Sequence, residues 1–213
     1  ALDPTLGAQA ASPSRDLLSG LEVRQPVRTR SGVYVDRTGA VLTVGEAVEG
    51  CARITLDDRY EADVAAVDTA SGLALLRPRE ALAPRRVAEL APAEPRVGAA
   101  AAVAGFPFGP ALPAATLTFG AIEDLQGLDG ETGVLRIAAQ TEPGEAGGPV
   151  FDPGGGRLLP PGVRFAAKSE VAAAFLAGQG VRSQTPVVTE GAQAPEDLTA
   201  AAMDVTVLVS CWN

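Results

Sequence analysis

Any chemistry this chain performs must be assembled without histidine, because none of its 213 residues is one. A Ser-His-Asp relay and a Cys-His pair are therefore closed to it. Lys168 is the only lysine. A Ser-Lys dyad would have to use it, and its neighbour Ser169 is expected to be the N-cap of the helix that follows. Cys51 and Cys211 lack a histidine base to make either a nucleophile, and two cysteines alone give too few soft ligands for zinc. No metal or cofactor is expected. The adjacent carboxylates Asp57-Asp58 and Glu196-Asp197 are the residue types of a general acid/base pair. Neighbours in a turn or a first helical turn, however, face solvent rather than flank a substrate. Gly154-Gly155-Gly156 is followed by neither Lys-Ser/Thr nor a helix start, so it reads as a hairpin turn rather than a phosphate loop.

The elements that would position these residues are mostly strands. Apolar residues make up 46% of the chain, and 24 Gly and 17 Pro suit a turn-rich β protein. Residues 32–35 and 40–43 are predicted to be strands joined by the turn Asp36-Arg37-Thr38-Gly39, and residues 52–56 and 61–67 a second hairpin. Residues 73–76, 102–105, 115–122 and 134–139 are further strand predictions. A helix is predicted over 169–178, with Val171, Phe175 and Leu176 on its apolar face. A short helix starts at Pro195, and a strand over 205–209 runs to Cys211-Trp212. Trp212 is either an anchor that packs this tail onto a barrel or a partner contact. A helical turn is predicted over residues 16–21. The domain reading is a lead-in over 1–26, an N-terminal barrel over 27–82, a linker and C-terminal barrel over 83–168, a helix over 169–184 and a tail over 185–213.

Several segments recur in an order and spacing with a precedent. Ser31-Gly32-Val33-Tyr34-Val35 is followed by Gly39-Ala40-Val41-Leu42-Thr43. Then come Asp68 to Leu76, Arg96-Val97-Gly98 with Ala104 to Gly109, and Thr118 to Ile122. Gln140-Thr141 precedes Pro143-Gly144-Glu145-Ala146-Gly147-Gly148-Pro149-Val150-Phe151, and Val163 to Ala167 closes the series. Over roughly residues 30 to 180 these segments resemble the trypsin-like serine peptidases, in particular protease domains of the HtrA (Deg) type. The resemblance implies an all-β fold of two perpendicular six-stranded barrels, or reduced versions of them, with a C-terminal helix. The tail lies outside it as an extra strand. It also implies where a triad would stand, and there Glu46 occupies the histidine position, Gly72 the aspartate and Ala146 the serine. The family's spacer before Pro143 is shortened to Glu142, and the segment between Phe151 and Phe165 is shorter than the family's pocket-forming hairpin. The implied reading is a catalytically dead member. The loop residues Gly144, Glu145 and Gly147, with the backbone around Ala146, are expected to retain an oxyanion-like nest.

The net charge of −9 repels phosphate, so nucleic acid is an unsuitable partner. No apolar run reaches the 18 or more residues of a membrane-spanning helix. An opening Ala-Leu-Asp-Pro without methionine suits an exported chain after removal of a signal peptide, though a trimmed chain would look the same, and the expected location is the periplasm. In that compartment Cys51 and Cys211 are expected to form one disulfide, the other reading being two buried thiols. Closing a loop of roughly 160 residues would stabilise the fold by at most about 4–5 kcal/mol on chain-entropy grounds, and would bring the tail against the N-terminal barrel, where it could cover the degenerate site. Glu46 is either a ligand for a partner's arginine or a solvated or backbone-bonded acid. The functional expectation is a non-catalytic accessory subunit that binds another envelope protein or a membrane protein complex. The alternatives are a free periplasmic regulator that binds peptides in the residual cleft, and an envelope-polymer binder.

Overall fold

The computed structural model describes residues 14–15, 22–152, 157–159, 165–182 and 195–213. The expected helical turn over 16–21, the glycine turn 154–156, the linker 185–191 and most of the shortened 151–165 segment lie outside the described residues.

A two-residue pair, β1 (Ser14–Arg15) and β2 (Glu22–Val23), precedes the first lobe. That lobe contains β3 (Arg28–Tyr34), β4 (Val41–Val44), β5 (Arg53–Leu56), β6 (Tyr60–Asp68) and β7 (Leu73–Pro78). The second lobe contains β8 (Ala100–Gly105), β9 (Thr116–Asp124), β10 (Val134–Ala139), β11 (Val150–Asp152), β12 (Arg157–Leu159) and β13 (Phe165–Ala167). Helices α1 (Ser169–Gly178) and α2 (Pro195–Val205) follow, and β14 (Thr206–Trp212) is the remaining strand.

The first lobe is a closed barrel in the order β14-β3-β4-β7-β6-β5. The tail is therefore a wall strand and not a cover over the site. It fills the seam between β3 and β5, antiparallel to both, with Leu208 opposite Ser31 and Cys211 opposite both Arg28 and Ile54. Closure leaves this barrel no free edge. Among the described residues the second lobe is a curled six-stranded sheet, β12-β11-β8-β9-β10-β13, that does not close. The fold is thus mostly β and consistent with the two-barrel trypsin-like architecture, with the second barrel reduced to an open sheet.

Strand periodicity explains the three-part core. Successive side chains alternate between the faces of a strand. In β14, Val207 and Val209 point into the barrel beside Tyr34, Val41, Leu56 and Leu76. Leu208 points outward onto Phe106 and Ala115 of the second lobe. In β8, Ala101 and Val103 line the curled sheet with Ile122, Leu135 and Ile137. Ala102 and Ala104 face the other way, into the core that joins the lobes. The small side chains of this alanine-rich strand let the two lobes approach closely.

Both helices pack on that shared core. α2 buries Leu198, Ala202 and Val205 at helical spacing. α1 buries Ala172 and Leu176, so Val171 and Phe175, expected on its inner face, are only partly covered. The expected cap is also shifted by one residue. Ser169 is the first helical residue, and Lys168, with extended backbone, is the N-cap and makes no side-chain capping bond. The Lys168 ammonium turns instead to Glu94. No helix among the described residues is long and apolar enough to cross a membrane.

Candidate functional site

Residues of the first barrel organise the site. Ser31, outward-facing on β3 and fully buried, accepts the Phe106 N–H at 2.9 Å and donates to the Gly144 carbonyl at 2.8 Å through its hydroxyl. Its backbone N–H donates to the Ala146 carbonyl at 2.8 Å, and its carbonyl accepts the Thr43 hydroxyl at 2.7 Å. One serine therefore fastens the loop of the second lobe to two strands of the first. Two residues beyond Thr43, the Gly45 N–H donates to the Gly72 carbonyl at 2.7 Å. Glu46 reaches back to β3, where its carboxylate takes the Arg30 Nε at 2.6 Å. The Arg28 guanidinium binds the carbonyls of Glu46 and Glu49. Glu46, Gly72 and Ala146 are thus each bonded to the rim that β3 and the end of β4 form.

Their chemistry at this rim is spare. Ala146 presents a methyl group that is 3% exposed. Gly72 has no side chain, and its backbone is left-handed at φ 70°. Glu46 is exposed, and Arg30 of the same chain pairs with its carboxylate.

The loop itself is a single 3-10 turn over Pro143–Glu145, closed by a reciprocal cap between Glu142 and Glu145. The fully buried Glu145 carboxylate accepts the Glu142 N–H at 2.7 Å on one oxygen and the Thr118 hydroxyl at 2.6 Å on the other. The Ala146 N–H donates to the Pro143 carbonyl at 3.2 Å. The nest expected around Gly144 and Ala146 therefore differs in this conformation, since one of its donors is spent inside the turn. The Gly147 Cα packs so closely on β3 that an added Cβ would lie 2.0 Å from the Ser31 carbonyl oxygen.

Cys51 and Cys211 form a disulfide with a Cα separation of 5.3 Å. Trp212 acts as an anchor, its indole N–H donating to Thr55 Oγ1 at 2.8 Å while the Arg53 guanidinium lies 5.0 Å from the ring centroid. Asp57 and Asp58 also serve the tail. Asp57 accepts the Leu208 N–H at 3.0 Å and Asp58 the Ser210 hydroxyl at 2.6 Å. Sequence reasoning did not single out Ser31, Arg30 or Thr118 as site residues. Ser31 lay within a quoted motif, but its bonds reach residues 75 and 113 positions away, which no local pattern reveals.

A groove of about 520 Å³ runs beside the loop, with Val27, Arg28, Arg30, Phe108, Pro143 and Gly144 in its walls. Phe108 is 64% exposed there. Among the described residues no cluster of three or more His, Cys, Asp or Glu could hold a metal ion.

Two comparisons with known proteins bear on this geometry. Residues 30–159 match the family model described as "Trypsin-like peptidase domain". The chain is also similar to "Uncharacterized protein y4bJ" of Sinorhizobium fredii (strain NBRC 101917 / NGR234), at 29% identity over 207 residues. That similarity covers 85% of this chain and 32% of the relative, so the chain spans about a third of the relative's length.

Proposed function

We propose that this chain, which belongs to the family of trypsin-like peptidase domains, is a non-catalytic member resembling the HtrA type. On this reading it acts as a protein-binding or structural accessory subunit of a bacterial envelope complex, on the periplasmic side. The observation that carries the reading is Ala146. At the position that the motif resemblance gives to the family's nucleophile stands a buried methyl group whose own N–H is bonded to Pro143. Acyl transfer needs a nucleophile, a base and oxyanion donors together. The chain has no imidazole, and Glu46 is engaged by Arg30. The disulfide supports an oxidising compartment.

Two measurements test it. Neither the wild type nor Ala146→Ser is expected to react with a fluorophosphonate probe or to cleave fluorescent casein. Cleavage by the wild type that scales with its concentration and resists inhibitors of contaminating proteases would overturn the non-catalytic reading. Co-purification from gently solubilised envelopes is expected to recover one complex in fixed stoichiometry.

The groove with exposed Phe108 and Val27 favours a second reading, a free regulator that binds extended peptides there. Recovery of the chain with many substoichiometric unfolded proteins would favour that reading over the first.

A further inference from the structure

We infer that β14, tied to the barrel by Cys51–Cys211, controls the conformation of the 143–147 loop through Leu208 and Ser31. The redox state of the bridge thereby sets the shape of the degenerate site. This deepens the binding reading by naming the regulation of the same loop, and it rests on that reading only for the effect on a partner.

The path is short and continuous. Cys211 lies three residues from Leu208 on one strand. Leu208 is the register partner of Ser31 on β3, and its side chain packs on Phe106 and Ala115 across the lobe interface. Ser31 holds the Phe106 N–H, the Gly144 carbonyl and the Ala146 carbonyl. The loop keeps its 3-10 turn while Ser31 stays in place. Ser31 in turn stays in place while β3 is clamped between β4 on one side and β14 on the other.

The clamp has one covalent component, and that component spans 160 residues of sequence. Reduction by a dithiol delivers two electrons and two protons, gives two thiols and oxidises the reductant to its own disulfide. The strand then depends on its ladders, on the two aspartate bonds and on Trp212, so its local opening becomes more frequent. Each opening removes the partner that aligns Ser31, and the Pro143–Glu145 turn loses its support.

Hydrogen exchange reads this without any partner protein. Reduction of the wild type is expected to speed exchange of the Leu208, Ser31, Phe106 and Ala146 amides together, by about tenfold or more. The Ile122 amide, bonded to the Ala99 carbonyl within the second lobe, is expected to hold its rate. In oxidised Ser31→Ala, Phe106 and Ala146 are expected to exchange fast already and to be insensitive to reduction. Faster exchange in β14 with unchanged Phe106 and Ala146 would overturn the coupling, as would no change anywhere. Full sensitivity to reduction retained in Ser31→Ala would also overturn it. If the reduced wild type unfolds as a whole, with Ile122 rising equally, oxidised Leu208→Ala decides the matter. Raised exchange at Phe106 and Ala146 with Ile122 steady supports the inference, and unchanged rates there refute it.

Discussion

Two aspartates make opposite use of their surroundings, and acid separates them. Asp57 is held above the ordinary carboxylate range, chiefly by desolvation and further by the charge of Asp58, against the pull of the Leu208 N–H and Arg59. A raised folded pKa means that folding favours the proton. Its contribution to stability is complete below the ordinary carboxylate range and is lost as pH rises through the folded value. At neutral pH the ionised Asp57 is thus a cost. Asp57→Asn keeps an oxygen for the Leu208 N–H and tolerates the left-handed backbone at φ 51°. It is expected to melt a few degrees above the wild type at pH 7, with the gain vanishing towards pH 3. Asp36 is the reverse case. Burial alone would raise it, but the Thr38 hydroxyl, the Ala40 and Thr38 N–H groups and the Arg77 charge together hold it below the ordinary range. Its contribution is present above the unfolded value and disappears as pH falls through the folded one. Asp36→Asn is therefore expected to lower Tm at pH 7 and to converge on the wild type in acid. Melting curves of the three proteins from pH 3 to pH 8 check both signs at once.

At the scale of elements, the loop over 143–147 is shaped by what it docks against, and two glycines show the contrast. Gly147 has φ 89° and faces the Ser31 carbonyl, with no room for a Cβ. Gly72 has φ 70° and nothing within 4 Å of where a Cβ would stand. Gly147→Ala is expected to cost ~3 kcal/mol or more, from strain and displaced backbone together, while Gly72→Ala costs about 1 kcal/mol from strain alone. Urea titrations of both variants measure the difference. A Gly147 substitution thus disturbs the fold before it reports on binding, and Glu46→Gln is the cleaner probe of the cleft. The same contrast explains what was legible in the sequence. The hairpins around Asp36 and around Asp57-Asp58, and the strands at 73–76 and 134–139, follow from alternation and turn residues that act within ten positions. Motif order carried only the expectation that Glu46, Gly72 and Ala146 stand at the triad positions. Hidden were the spent Ala146 N–H, a bond inside the turn itself, and the inward Glu145 and the Arg30–Glu46 pair, because these two depend on side-chain contacts with strands 27 and 16 residues away. The place of residues 206–212 as a wall strand was hidden for the same reason. Their apolar alternation reads as a strand, but nothing local to it says that the open seam lies between β3 and β5.

That seam governs how the whole molecule folds. The first barrel cannot close from its own contiguous strands, since its sixth is β14, paired with Arg28 at one edge and with Arg53 at the other. Every native ladder of β14 therefore joins residues 153 to 183 positions apart, and the chain must first meet the loop-closure cost of that separation. Topologies dominated by such pairings fold slowly. A disulfide-intact chain retains the closure in its unfolded state, because Cys51 and Cys211 already hold the strand near the seam. If docking of β14 precedes the rate-limiting step, the bridge accelerates folding and hardly touches unfolding. Chevron plots of oxidised and reduced protein are expected to show this asymmetry, with the folding limb falling by an order of magnitude or more on reduction and the unfolding limb shifting little. Equal displacement of both limbs would place the docking of β14 midway through the barrier. A shift confined to the unfolding limb would mean that the seam fills only after the two lobes have packed.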